Sequence, residues 1–135
     1  MTFAQLNLRN GRTAITVITV MTLTHEKLDV YQCSIEFLAL SAEVLDRLPR
    51  KGSATLADQL KRASLSIPLN IAEGVGKTTD ADRSRYYGIA RGSAMECGAI
   101  IDACRVLALI EPARAETGKN LLVRIVGMLT KMCRG

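Results

Sequence analysis

From Leu28 onward, apolar residues recur at alternating intervals of three and four. Leu28, Tyr31, Ile35, Leu38, Ala42 and Leu45 form one such series, the seam of a helix packed in a bundle. Pro49-Arg50-Lys51-Gly52-Ser53 breaks it, and a second series runs through Leu56, Leu60, Ala63, Ile67, Asn70 or Ile71, and Gly74. This second helix contains Pro68, whose ring removes one hydrogen bond and meets the carbonyl four residues back, so a kink is expected there. Ser64 and Ser66 are placed to satisfy the freed backbone groups. A third series, Tyr86, Ala90, Ser93, Cys97, Ile100, Cys104 and Leu107, is expected to stop at Pro112. Leu121, Ile125, Met128 or Leu129, and Met132 make a fourth. Four helices with short connections and no convincing strand predict an all-α fold, an antiparallel up-and-down four-helix bundle over residues 25–135, kinked in its second helix at Pro68.

Residues 1–24 differ. Thr13-Ala14-Ile15-Thr16-Val17-Ile18-Thr19-Val20 is β-branched and has no helical period. The run is too short to cross a bilayer, and no small-residue cleavage site follows it. It reads as an N-terminal arm, a disordered tail, or a segment ahead of a later start at Met21.

Gly76-Lys77-Thr78 copies the last three letters of a phosphate-binding P-loop, but the required glycine five positions earlier is Ile71. The cradle is incomplete, and a helix rather than a buried strand precedes it. The alternative is a helix junction: Gly74 and Gly76 fall where the second helix runs out, and Thr79, with Asp82 three residues on, caps the third. Gly88 and Gly92 lie inside that third helix, where each costs roughly 1 kcal/mol relative to alanine. Close approach of another backbone would offset this, from the second helix or from a neighbouring subunit.

Composition narrows the chemistry. Of 135 residues, 48% are hydrophobic and none is Trp, so the core is aliphatic and suited to helices. A single histidine, His25, cannot furnish the Glu-x-x-His pairs of a di-iron bundle, and it sits at the edge of the arm, a poor place for a catalytic triad. Glu73 and Glu96 stand where they would face one another across two helices, yet salt bridging is the commoner fate of such acids. Cys33, Cys97, Cys104 and Cys133 contain no C-x-x-C pair, which argues against zinc and for buried thiols in a reducing cytosol. No enzyme activity, cofactor, metal or membrane contact is expected.

The formal charge of +5 suits an anionic partner. Arg83, Tyr87 and Arg91, four apart, form one stripe on the third helix, beside Lys77 and Arg85. Cations neutralise phosphates and a tyrosine stacks on a base. The competing reading places Tyr87 in a subunit contact and the arginines in ordinary surface ion pairs.

Ser66-Ile67-Pro68-Leu69-Asn70-Ile71-Ala72-Glu73-Gly74-Val75-Gly76-Lys77, followed by Ile89-Ala90-Arg91-Gly92-Ser93 and preceded by Gln59-Leu60-Lys61-Arg62-Ala63, resembles the family of four-helix-bundle proteins found in intervening sequences of 23S ribosomal RNA genes. The resemblance spans about Leu28 to Arg134. It implies a cytosolic bundle assembled as a ring of five, related to the accessory variability protein of diversity-generating retroelements, whose basic surface engages RNA and reverse transcriptase. Pro68, Asn70, Glu73, Gly74, Gly76, Thr79, Gly88, Gly92 and Ser93 are the structural positions it marks. The chain departs from the pattern at Asp82-Arg83 and at Gly98, and the family carries no catalytic residues to transfer. The implied function is a non-enzymatic RNA-binding accessory protein; the alternative is a scaffold or adaptor oligomer that binds a protein.

Overall fold

A computed structural model describes the backbone of residues 2–9, 12–19 and 23–134, and the side chains of residues 23–134. After a 3-10 turn over Thr24–Lys27 come four helices: α1 Asp29–Arg47, α2 Ala54–Val75, α3 Asp80–Val106 and α4 Pro112–Cys133. α2 packs on α3, α3 on α4, and α1 closes the circle against both α2 and α4. The pairs α1/α3 and α2/α4 are the diagonals of an antiparallel four-helix bundle.

The α2 seam lies where the sequence predicts it, with Leu60, Ala63, Ile67, Ile71 and Gly74 buried. In α4 the core face is Ala115, Gly118, Leu122, Ile125 and Leu129. α1 is turned relative to expectation: Val30, Cys33, Ser34, Phe37, Ser41 and Val44 face inward. Ile35 and Ala42 of the predicted series are exposed, and Tyr31, Leu38 and Leu45 lie on the flank. Phe37, fully buried, sets the phase, because the largest apolar side chain in the helix gains most from leaving water. Serine costs little at that contact when its hydroxyl bonds to its own helix, as Ser34 Oγ does to the Tyr31 carbonyl at 2.6 Å.

α2 continues through Pro68, which is buried. The two serines expected to serve the freed backbone groups are engaged differently. Ser64 donates to the Lys61 carbonyl at 3.3 Å, and Ser66 Oγ pairs with Ser93 Oγ of α3 at 2.8 Å. Pro112 does not stop α3; it is the first residue of α4, a position where its missing N–H has no helical acceptor to lose. α3 instead ends in a left-handed residue, Ala108, at φ 55°.

The expectation of no strand is corrected at the N-terminus. Thr2–Arg9 (β1) pairs antiparallel with Arg12–Thr19 (β2), Thr2 opposite Thr19 and Arg9 opposite Arg12. Asn10-Gly11 lies between the strands in the sequence. This dipeptide between two β-rich runs is the strongest short-range hairpin signal.

Candidate functional site

The α2–α3 junction carries most of the residues singled out from the sequence. The last turn of α2 closes through Gly76 N–H donating to the Ala72 carbonyl at 3.2 Å and Lys77 N–H donating to the Gly74 carbonyl at 3.1 Å. Thr79 then caps α3, its Oγ1 accepting from Asp82 N–H at 3.2 Å, while Asp80 and Asp82 sit in the first turn, where negative charge suits the helix dipole. No phosphate cradle forms: Ile71 is fully buried in the core.

The predicted cationic stripe is divided by the structure. Arg83 ion-pairs with Asp80 and donates to the Lys77 carbonyl at 2.9 Å, so it fastens the connecting loop. Arg91 donates through Nε to Thr130 Oγ1 of α4 at 2.8 Å. About two turns towards the helix start, Ser84 Oγ donates to the Cys133 carbonyl at 2.7 Å. These two bonds stitch α3 to the end of α4. Tyr87 is 8% exposed and rests on Gly74. It is a core residue and offers no ring face to a base, so its assignment as a stacking residue is corrected; burial also pushes its phenol up, against the opposing pull of Arg83.

Lys77 and Arg85 remain at the surface, and they share a residue the sequence reading passed over as a seam position. Lys77 Nζ lies 5.0 Å from the centre of the Tyr86 ring and Arg85 Cζ lies 5.8 Å from it, both within cation–π range. Lys77 also pairs with Glu73 at 3.1 Å; this hydrogen bond, with smaller contributions from Tyr86 and from the charge of Glu73, raises the ammonium pKa. Tyr86 is half-buried, beside the buried Tyr87. Adjacent helical positions point about 100° apart, so apolar spacing alone does not say which of two tyrosines turns inward.

The remaining marked positions are structural. Asn70 donates through Nδ2 to the Ser66 carbonyl at 2.8 Å and to Ser66 Oγ at 3.0 Å, forming with Ser93 a polar ladder between α2 and α3. Glu96 pairs with Arg62 at 2.6 Å, so each of the two acids expected to face one another is taken up by a cation. Gly88 and Gly92 are exposed, and a Cβ on either would meet nothing within 4 Å, which removes close contact within the bundle as their reason.

Among the described residues no group of three or more His, Cys, Asp and Glu side chains is placed to hold a metal ion, and no helix is long and apolar enough to cross a membrane. The geometry defines an antiparallel four-helix bundle whose α2–α3 elbow presents two cations around one accessible tyrosine. The chain belongs to the 23S rRNA-intervening sequence protein family, whose model matches residues 26–131. A crystal structure of a protein of unknown function from the S23 ribosomal protein family of Bacteroides thetaiotaomicron superposes with a TM-score of 0.72 at 21% identity, covering 78% of this chain and 99% of that one. No curated protein matches.

Proposed function

We propose that the chain is a non-enzymatic accessory protein of the cytoplasm that assembles into a ring of five and binds RNA through the Lys77–Tyr86–Arg85 cluster. The observation that carries this reading is the placement of two cations, 5.0 and 5.8 Å from the centre of one partly accessible aromatic ring. Such a group neutralises backbone phosphates and stacks on a base without reading its identity. Repetition around a ring multiplies a weak site by avidity. Arg83 and Arg91, expected from the sequence to contact RNA, act as positioning residues that hold the elbow and α4.

A titration of single-stranded RNA at several salt concentrations tests the proposal. Lys77→Ala with Arg85→Ala lowers affinity and flattens the log–log salt slope by roughly two per engaged protomer. Tyr86→Ala weakens binding by about 1 to 3 kcal/mol and leaves the slope unchanged. Absence of RNA affinity at low salt would transfer the function to the second reading, a scaffold for a protein such as a reverse transcriptase, which the exposed apolar side chains of α2, α3 and α4 favour.

A further inference from the structure

The Lys77 ammonium is engaged twice in the folded chain. Its Nζ lies 5.0 Å from the centre of the Tyr86 ring and 3.1 Å from Glu73 Oε1. Glu73 sits in the last turn of α2, four residues before Lys77, a spacing that brings two side chains together on one helical face. The acid side chain is 53% exposed and that of the lysine 34%, so both can be reached from water. Arg85 leans on the same ring at 5.8 Å, and among the described residues it has no carboxylate within ion-pair distance. The two cations of the site therefore start from different states: the charge of Arg85 is free, and that of Lys77 is already taken.

A nucleotide needs both things that Lys77 holds. A backbone phosphate has to replace the carboxylate at the ammonium, and a base stacking on that face of Tyr86 has to replace the ammonium on the ring. We propose that Glu73 is a positioning residue that acts as an internal stand-in for phosphate: it keeps Lys77 over the Tyr86 ring, and single-stranded RNA opens the site by exchanging both contacts together. The phosphate takes the place of the carboxylate at Lys77, and the base takes the place of the ammonium at Tyr86. Each contact is exchanged for one of the same kind, so a strand that brings an unstacked base beside its phosphate loses little on opening the site. Until then the closed pair lowers the affinity, because the first contact of any anion with Lys77 costs the bond to Glu73. This inference rests on the RNA reading above and names the residue that sets the strength of that site.

Fluorescence-anisotropy titration of a labelled single-stranded oligoribonucleotide at fixed low salt tests it. Glu73→Gln keeps the shape of the side chain and removes its charge, and it tightens binding by about two- to five-fold, the worth of an exposed ion pair. Removing any nearby acid lessens the repulsion of RNA, so Asp82→Asn, in the first turn of α3, measures that general effect, which Glu73→Gln exceeds. The decisive comparison is made in a Lys77→Met background. A lock acts only through Lys77, so there the gain from Glu73→Gln shrinks to that of Asp82→Asn. Circular dichroism and size exclusion check that each variant keeps the fold and the mass of the unaltered chain. An equal gain with and without Lys77, or no gain beyond that of Asp82→Asn, overturns the lock and leaves the RNA reading standing. No binding at low salt by either the unaltered chain or Glu73→Gln overturns both.

Discussion

A Cβ placed on residue 74 would lie 2.7 Å from Cε1 and 2.9 Å from Cδ1 of Tyr87, so the Tyr87 ring rests on the bare backbone of α2 at Gly74. Gly74→Ala therefore destabilises the bundle by about 1 to 3 kcal/mol through overpacking, although alanine is the better helix former by roughly 1 kcal/mol. In a Tyr87→Ala background most of that cost disappears, leaving the 3.2 Å approach to Tyr86 Cβ, and a double-mutant cycle measured by urea denaturation reads the coupling. Gly88→Ala and Gly92→Ala are the controls: with open space at both positions, each gains about 1 kcal/mol. Equal effects at all three glycines would contradict the contact.

Ala108 holds the C-terminus of α3 in a conformation that glycine adopts more readily. Its N–H donates to the Arg105 carbonyl at 3.0 Å, and Leu109 N–H donates to the Cys104 carbonyl at 2.8 Å; these are the two bonds of a Schellman cap, with φ 55° at Ala108 itself. Ala108→Gly raises stability by about 1 kcal/mol, and a β-branched residue there lowers it by more. Thermal melts of Ala108→Gly and Ala108→Val should move in opposite directions.

Burial pushes the Cys97 thiol from 9.0 up to about 12, with Glu96 adding to the rise and Arg62 opposing it. Desolvation also raises Cys33 and Cys104. The sign is that of an acid kept neutral by the fold: the native chain holds the proton that the unfolded chain releases above about pH 9. Stability is therefore full below that point and falls as pH climbs towards 12, by up to about 4 kcal/mol from Cys97 at about 1.4 kcal/mol per pH unit. Cys97→Ala removes its share of the slope. Denaturation midpoints followed across the alkaline range decide the matter, and an identical slope in the variant would refute the assignment.

Among the described residues the buried core runs from Val30 to Leu129. Removing residues 1–20, so that translation starts at Met21, leaves the melting temperature of the bundle nearly unchanged. A large drop would show the β1–β2 hairpin to be an integral part of the fold.

Number of helices, their connections and the α2 seam were legible because the 3.6-residue period is strong where leucine and isoleucine carry it. Phase failed in α1 because two apolar stripes run side by side and the buried one includes Ser34 and Ser41. The choice between Tyr86 and Tyr87 is made by Gly74, which no local pattern connects to them. The fates of Arg83 and Arg91 are decided by the Lys77 carbonyl and by Thr130, acceptors that tertiary packing brings close. Lys77 and Arg85 stay at the surface beside a tyrosine. The hairpin is a different case: Asn10-Gly11 is a local signal for it, whereas the lack of helical period by itself leaves a paired arm, a tail and a later start equally open.

Short Gly76–Thr79 linkage joins the two helices with the most extensive mutual packing, and this bears on the order in which the chain acquires its shape. Contacts between α2 and α3 are near in sequence and cost little loop-closure entropy, so this helical hairpin is the natural folding nucleus. Closure of α1 on α4 joins residues such as Glu43 and Arg114, 71 positions apart, and comes late. During synthesis the α2–α3 elbow is complete before α4 leaves the ribosome. The C-terminal turns of α4 then fasten an elbow already assembled, through the Cys133 carbonyl and Thr130 Oγ1.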